Sequence, residues 1–286
     1  MTAQILANTV ITAAIYTLVG LSFGMIYSVA RFFHIAHGVM FTAGAYFLYF
    51  FYSVIRLPIA LAGGLSICAT AILGWFIYIT LHKNLEKSNA SPLIHFIASL
   101  GLYVVIENVL SITFGDESIV IRSASVTPGH LLLGAHVTSV QVLMILLTSL
   151  SIFILIALSK TKMSLTLRAI ANDPDLAECI GIDRKYFVGI AFAQGSALIG
   201  LAGCLVAYDI SVRPTMGMNF LIMGIVAVLV GGASNILGIT ISAILLSGAQ
   251  QAATLFISAQ WHDAIAFIVL FLVLLLRPNG LLAGKQ

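Results

Sequence analysis

Apolar runs about twenty residues long recur along almost the whole chain. Each is long enough to cross a hydrocarbon core of roughly 30 Å as a helix, in which every backbone polar group is bonded internally. Only 8% of the 286 residues are charged and 60% are hydrophobic, whereas soluble domains carry about 25% charged residues. A membrane β-barrel would need segments of alternating polarity, but the runs here are continuous. The sequence therefore predicts an all-α, polytopic helical bundle forming a single transmembrane domain over 1–286.

Nine spans follow from these runs, and the basic residues orient them. The predicted spans are 9–30, 34–53, 58–81, 95–114, 139–159, 186–208, 218–232, 236–258 and 262–277. Lys and Arg accumulate in cytoplasmic loops, and here they mark the 82–94 linker, the 160–185 loop and the C-terminal end, including Lys285. The N-terminus and the 115–138 loop would then lie outside. Two spans are short or interrupted by Gly, so eight or nine transmembrane helices are expected.

The 160–185 loop is the most polar stretch of the chain and contains a predicted short helix. Asp173 can cap free backbone N–H groups, Pro174 suits the first helical position, and Gly181 is a good terminator. The helix is expected to carry one apolar face, made up of Leu176, Ala177 and Ile180. About two turns of helix are not stable alone in water. The helix therefore packs either on its own membrane domain or on a cytoplasmic partner.

Two polar sites lie within the predicted spans. A carboxylate at mid-membrane costs about 3 kcal/mol or more unless it is neutral, paired or facing water. Glu107, beside Asn108, either lines a translocation path or holds two helices together by a hydrogen bond. His34 and His37 share one helical face. A metal site there would need further ligands that the sequence does not suggest, so a hydrogen-bonding role is favoured.

Glycines interrupt the apolar pattern at two places. Gly20 and Gly24 form a GxxxG pattern, which is typical of closely packed helices. Gly231 and Gly232 begin a flexible, polar break that ends at Gly238. Such a break is tolerated where protein or water covers the freed backbone groups. It is either a plain tight turn between spans or a loop that contacts substrate.

Four regions carry the pattern of one known family. They are His-Ile-Ala-His-Gly at 34–38, the span residues 98–115, the loop residues 168–183, and the C-terminal third from 231 to 281, which includes Arg-Pro-Asn-Gly-Leu. In this order and spacing they resemble the permease subunits of ABC importers for branched-chain amino acids, a family with related urea and amide systems. His34 stands where the family has Asn, Glu107 where it often has Gln, and Leu237 where it frequently has Pro.

The resemblance implies an inner-membrane import permease working by alternating access. It would pair with a second, homologous permease subunit and two cytoplasmic ATPase subunits, and a periplasmic substrate-binding protein would deliver the solute. The implied ATPase-coupling residues are Arg168, Asn172, Asp173, Pro174, Leu176, Ala177 and Gly181. The candidate translocation-path residues are His34, His37, Glu107, Asn108, Gly231 and Gly232. This sequence has no GxxxxGK[ST] phosphate loop, so we expect ATP to bind to the partner subunits and no cofactor, metal or catalytic residue in this chain.

Two other functional classes are alternatives: the composition alone would allow the first of them, but the docking-type loop and the family pattern favour the ABC permease. A self-contained secondary transporter or channel for a small polar solute would use Glu107 as its coupling site. An intramembrane enzyme would need a nucleophile–base pair, and no such arrangement is apparent in the sequence. The substrate stays open at this point: branched-chain amino acids, urea and amides all suit a mostly apolar path, and pairing with itself or with a second permease is equally open.

Overall fold

The computed structural model describes residues 2–121, 129–132, 134–256, 258–277 and 280–281, and these are mostly helical. The helices are α1 Thr2–Ala30, α2 Ala36–Tyr49, α3 Ile59–Ile77, α4 Lys83–Lys87, α5 Pro92–Phe114, α6 Ser139–Leu158, α7 Lys162–Asn172, α8 Pro174–Cys179, α9 Arg184–Asp209, α10 Met216–Gly231, α11 Ile236–Ala253 and α12 His262–Leu276. One hairpin, β1 His130–Leu132 with β2 Ala135–Val137, lies before α6. Pro278, Asn279 and Lys285 lie outside the described residues.

Each of the nine predicted spans corresponds to a helix in the described part of the chain, which confirms the all-α polytopic bundle. Within the described residues, six helices are long and apolar enough to cross a membrane by length and composition. They are α1, α5, α6, α9, α11, and α3 extended through a π-helical turn, Tyr78–His82, into α4. The other three, α2, α10 and α12, are shorter, although α2 continues into a second π-helical turn, Phe50–Val54.

Contacts between loops sort the helix ends into two sets. The Gln4 side chain bonds to the backbone of His136 at both N–H and C=O, so the start of α1 lies beside the hairpin. At the other end of α1, the Arg31 guanidinium donates to the Ala171 carbonyl of α7. We call these the hairpin end and the basic end. The start of α1 and the hairpin of the 115–138 loop thus share one end, while the 160–185 loop occupies the other, as the charge distribution predicts.

The chain folds back on itself between α1 and α2. Arg31 adopts a left-handed backbone conformation, with φ 60°, and Phe33 returns along α1 to pack 5.0 Å, centroid to centroid, from Tyr27. A ring nitrogen of His37 then lies 3.0 Å from Ser22 Oγ, two turns before α1 ends. Because of this reversal, α2 starts inside the bundle rather than at its surface.

The core of the bundle consists of α1, α2, α9 and α10, whose backbones touch at glycines. A Cβ added to Gly203 of α9 would lie 2.0 Å from the Phe41 carbonyl oxygen of α2. A Cβ on Gly217 would lie equally close, 2.0 Å, to the Gly38 carbonyl oxygen. The predicted close packing at Gly20 is also present, since a Cβ there would meet Ile239 at 2.8 Å. Small residues thus let these helices approach without intervening side chains.

The outer helices expose apolar side chains. Ile112 of α5 is 84% exposed, Phe153 of α6 is 71% exposed and Leu276 of α12 is 78% exposed. Large exposed apolar surface marks a site of contact with membrane or with another protein. These faces are suited to lipid or to another membrane subunit.

Candidate functional site

The 160–185 loop is a compact pair of helices held by three successive caps. Thr161 Oγ1 accepts a hydrogen bond from the Ser164 N–H and starts α7. Asp173 Oδ1 accepts from the Leu176 N–H at 3.0 Å and starts α8, and Asp183 Oδ1 caps α9. The sequence reasoning found the Asp173 cap but missed α7. The missed signal is Thr161, an N-cap residue directly before an amphipathic run.

The apolar residues of α8 point in two directions, so the expectation of one shared face is wrong. Ala177 is 2% exposed and packs in a cluster with Ile170 and Phe192. Leu176 and Ile180 are 60% and 68% exposed. Residues four apart share a helical face, whereas adjacent residues are about 100° apart. Ala177 therefore anchors α8 to the membrane domain, and the other two side chains form an apolar surface that faces away from it.

The end of α8 is set by Gly181, and the remaining predicted coupling residues lie on the surface. Gly181 has φ 87° and donates its N–H to the Glu178 carbonyl, while the next N–H bonds to the Ala177 carbonyl. This pattern closes a helix through a left-handed residue. Arg168 and Asn172 are exposed on α7. The structure thus gathers the predicted coupling residues into one surface element at the basic end.

A chain of buried histidines lies just inside the basic end. A ring nitrogen of His82 lies 3.1 Å from His34 Nδ1, and its other ring nitrogen lies 3.1 Å from His95 Nδ1. All three are buried, and His37, also buried, contacts Ser22 instead. The chain joins the α1–α2 connection to the ends of α3 and α5. Sequence reasoning missed His82 and His95 because they are distant in sequence from His34 and belong to other spans.

Two aromatic rings pack against this histidine chain. Phe32 lies 4.6 Å from His95, and Phe192 lies 5.1 Å from His34, between ring centroids. Each ring nitrogen of His82 points to a different partner, so the imidazoles form a line and do not converge on one point. No group of three His, Cys, Asp or Glu within the described ranges is arranged to hold a metal ion.

Glu107 and Asn108 lie apart from the histidines, further along α5 towards the hairpin end. They follow His95 by twelve or more residues, which is about 18 Å of helix rise. Glu107 is half-buried and interacts with the hydroxyl of Tyr103, one turn earlier. Asn108 is exposed and donates to the Val104 carbonyl of its own helix at 2.8 Å. The structure therefore does not bring all the candidate path residues together.

Gly231 and Gly232 form a tight turn between α10 and α11. Gly232 has φ 94°, its carbonyl accepts from the Asn235 N–H, and Asn235 caps α11 through the Gly238 N–H. A Cβ on Gly238 would lie 2.1 Å from the Gly231 carbonyl oxygen. The two helices cross here in backbone contact, so packing alone requires glycine at both crossing positions.

Comparison with known proteins agrees with this geometry of a multi-span bundle with a helical element at one end. The profile of the permease component of the branched-chain amino acid transport system matches residues 5–274. This chain belongs to that family. It is a transport subunit, and the permease is a multi-pass protein of the cell inner membrane.

Relatives of the permease match most or nearly all of its length. The high-affinity branched-chain amino acid transport system permease protein LivH of Salmonella typhimurium is 25% identical over 299 aligned residues, covering 99% of this chain and 96% of the relative. BraD of Pseudomonas aeruginosa, described in the same words, gives the same identity and coverage. A probable LivH of Methanocaldococcus jannaschii is 27% identical over 222 residues, covering 74% of this chain and 70% of the relative.

One solved structure shares the fold of the permease. PsaBC from Streptococcus pneumoniae in complex with Fab superposes with a TM-score of 0.54, covering 95% of this chain and 91% of that chain. The two sequences are 12% identical, so the likeness concerns the fold alone.

Proposed function

We propose that this permease moves branched-chain or similar hydrophobic amino acids inward as part of an ABC importer. Two cytoplasmic ATPase subunits would bind and hydrolyse ATP, a homologous permease subunit would complete the path, and a periplasmic binding protein would deliver the solute. The amino-acid class is supported by the names of relatives that match along almost the whole chain. The permease itself needs no cofactor in this scheme.

The observation that carries the proposal is the exposed apolar surface of α8. Leu176 and Ile180 are exposed on the outer side of α8, whereas Ala177 on its inner side is buried against the membrane domain. An exposed apolar pair on a capped, anchored helix suits docking into a groove on a soluble partner. Asp183, which follows α8 closely, caps α9. A displacement of α8 would therefore be transmitted to α9, a long central helix.

A contact between α7 and α1 supports a route by which ATP hydrolysis would drive transport. The Arg31 guanidinium bonds to the Ala171 carbonyl, so α7 is linked to the end of α1 as α8 is linked to α9. Movement of the α7–α8 element would then displace two core helices together. Such helices have discrete packed arrangements rather than continuous ones, which is what alternating access requires.

The test is co-purification of the permease with its ATPase, followed by solute uptake. We expect Leu176→Asp and Ile180→Asp to abolish both ATPase association and leucine uptake, with normal membrane insertion. Leu131→Asp is the matched control, because Leu131 is 67% exposed but lies at the hairpin end. Wild-type association and uptake in both α8 variants would refute the docking assignment, and uptake by the permease without any ATPase would refute the ABC mechanism.

A further inference from the structure

A cavity of about 360 Å³ opens between the core helices at the hairpin end. Its lining comes from α1, the end of α9, the α9–α10 linker, α10 and the start of α12. The lining residues the argument uses are Tyr16, Ser211, Arg213, Phe220, Met223 and Asp263. Its volume is within the range of about 300–1,000 Å³ that small-molecule sites occupy.

The short length of α10 creates this cavity. With 16 residues, α10 rises only about 24 Å, less than the roughly 30 Å of a hydrocarbon core. Its second residue, Gly217, packs against Gly38, which is near the start of α2 and so deep in the bundle. The linker before α10 therefore descends into the bundle, and the space above it extends inward to Tyr16, halfway along α1.

Opposite charges line this cavity without satisfying each other. Arg213 comes from the α9–α10 linker and Asp263 from the first turn of α12, and both side chains are exposed. Within the described part of the chain neither side chain has a hydrogen-bond or ion-pair partner. A cation and an anion that share a cavity but do not pair are available to a ligand carrying both charges.

The rest of the lining is suited to the apolar part of such a ligand. Phe220 and Met223 of α10 contribute an aromatic ring and a flexible thioether, and methionine adapts to aliphatic groups of different shape. Tyr16 lies at the inner side, with its hydroxyl fixed by a 3.0 Å hydrogen bond to Gln250. Gln250 in turn donates to the His262 carbonyl beside Asp263, so the wall around the carboxylate is held in place.

We propose that this cavity is the solute-binding site at the hairpin-side mouth of the path and that it takes the zwitterion of an amino acid with an apolar side chain. Arg213 binds the carboxylate, Asp263 binds the ammonium group, and Phe220 with Met223 contacts the side chain. The inference rests on the proposed function for the choice of an amino acid as solute. A charge-assisted hydrogen bond at each end of the ligand would reject molecules that carry only one of the two charges.

The test measures whether added solute protects an introduced cysteine from labelling by an impermeant maleimide. It is done in intact cells that express the complete importer. Ser211→Cys is a near-isosteric probe in the cavity, built in a chain whose own Cys68, Cys179 and Cys204 are replaced by Ser. The added compounds are L-leucine, 4-methylpentanoate, which lacks the ammonium group, and 3-methylbutylamine, which lacks the carboxylate. Ser139→Cys is the matched control, since it is exposed at the start of α6 and does not line the cavity.

We expect L-leucine to slow labelling of the Ser211→Cys probe at least fivefold, while neither single-charge analogue does so at the same concentration. Arg213→Gln and Asp263→Asn should each raise the half-protecting leucine concentration about tenfold or more, as loss of one charged contact predicts, and Arg213→Lys should retain part of the protection. The Ser139→Cys control should label at one rate throughout.

The proposed site is wrong if all three compounds protect equally or if leucine gives no protection. It is also wrong if protection is unchanged by Arg213→Gln in protein that inserts and labels normally. This readout is separate from the ATPase-docking part of the proposed function. Protection can be measured whether or not ATPase subunits associate, and failure of the α8 variants to affect uptake would not alter it.

Discussion

At Gly203 the backbone of α9 touches that of α2, and this contact makes a specific prediction about a single methyl group. A Cβ there would lie 2.0 Å from the Phe41 carbonyl oxygen. Because that oxygen belongs to the backbone, no change of side-chain rotamer can relieve the clash. We expect Gly203→Ala to destabilise the permease by about 1–3 kcal/mol, the usual cost of overpacking. The measurement is the thermal midpoint of the detergent-purified protein, followed by size-exclusion chromatography.

The control for that variant is Gly101→Ala in α5. A Cβ at Gly101 meets nothing within 4 Å, and alanine favours the helix over glycine by about 1 kcal/mol. Its thermal midpoint should stay level or rise. Equal losses in the two variants would mean that the backbone contact between α9 and α2 is not as close as described.

The histidine chain makes a second prediction at this scale. His82 is the middle member and contacts both His34 and His95. Its replacement by Ala leaves two buried ring nitrogens without partners, at about 1–3 kcal/mol each. His82→Ala should therefore lower the thermal midpoint clearly, whereas His136→Ala, on the exposed face of β2, should leave it unchanged. An unaltered midpoint in His82→Ala would contradict a structural role for the chain.

The sequence predicts the roles of some residues well and the contacts of others not at all. Asp173 and Gly181 act through backbone groups within a few residues, and their roles as cap and terminator are confirmed. The partners of His34 come from other spans, and no local pattern points to them. Ala177 and Leu176 look equivalent in sequence, and only the packing of α8 on Phe192 separates the buried one from the exposed one.

Among the elements, α8 depends most on a single cap. It has six residues, too few for a stable isolated helix, and Asp173 supplies its N-cap hydrogen bond at 3.0 Å. Asp173→Ala should cost about 1 kcal/mol of helix stability and speed hydrogen–deuterium exchange across 173–182. Glu178→Ala, exposed on the same helix without a cap role, should leave exchange unchanged. Similar exchange in both variants would show that Ala177 packing alone holds α8.

Helices are predicted from this sequence more reliably than their ends. Long apolar runs determine α1, α5, α6, α9 and α11, because a span needs only length and hydrophobicity. The start of α2 was placed two residues too early, at 34, because the reversal at Arg31 depends on tertiary contacts of Phe33. The α7 helix is not predicted from the sequence, because its amphipathic pattern lies within a loop that is polar overall.

For the whole molecule, the separation into two ends predicts which residues a reagent can reach. Cys179 is exposed at the C-terminal end of α8, at the basic end of the bundle. The excess of positive charge there indicates the cytoplasmic side. In a variant that keeps only this cysteine, an impermeant maleimide should label it in permeabilised cells and not in intact ones. The Ser139→Cys variant in the cysteine-free chain should label in both. Labelling of Cys179 in intact cells would reverse the predicted orientation.

The bundle as a whole was predictable in its class and in the pairing of loops at each end, since hydropathy and charge act over entire segments. The cavity near Arg213 was not. It depends on α10 starting deep in the bundle, which follows from the contact between Gly217 and Gly38, and on Asp263 arriving from a helix fifty residues later in sequence. Proximity between distant segments is a property of the packed molecule and leaves no periodic trace in the sequence.

The glycine contacts of the core also govern how the permease could be recombined with its relatives. Main-chain surfaces that touch directly cannot be adjusted by choosing other rotamers, so α1, α2, α9, α10 and α11 would have to be exchanged as one block. The outer helices α5, α6 and α12, which carry open apolar faces, can be exchanged singly. A chimaera made with a relative that is only 25% identical should therefore fold when its crossover points respect that boundary.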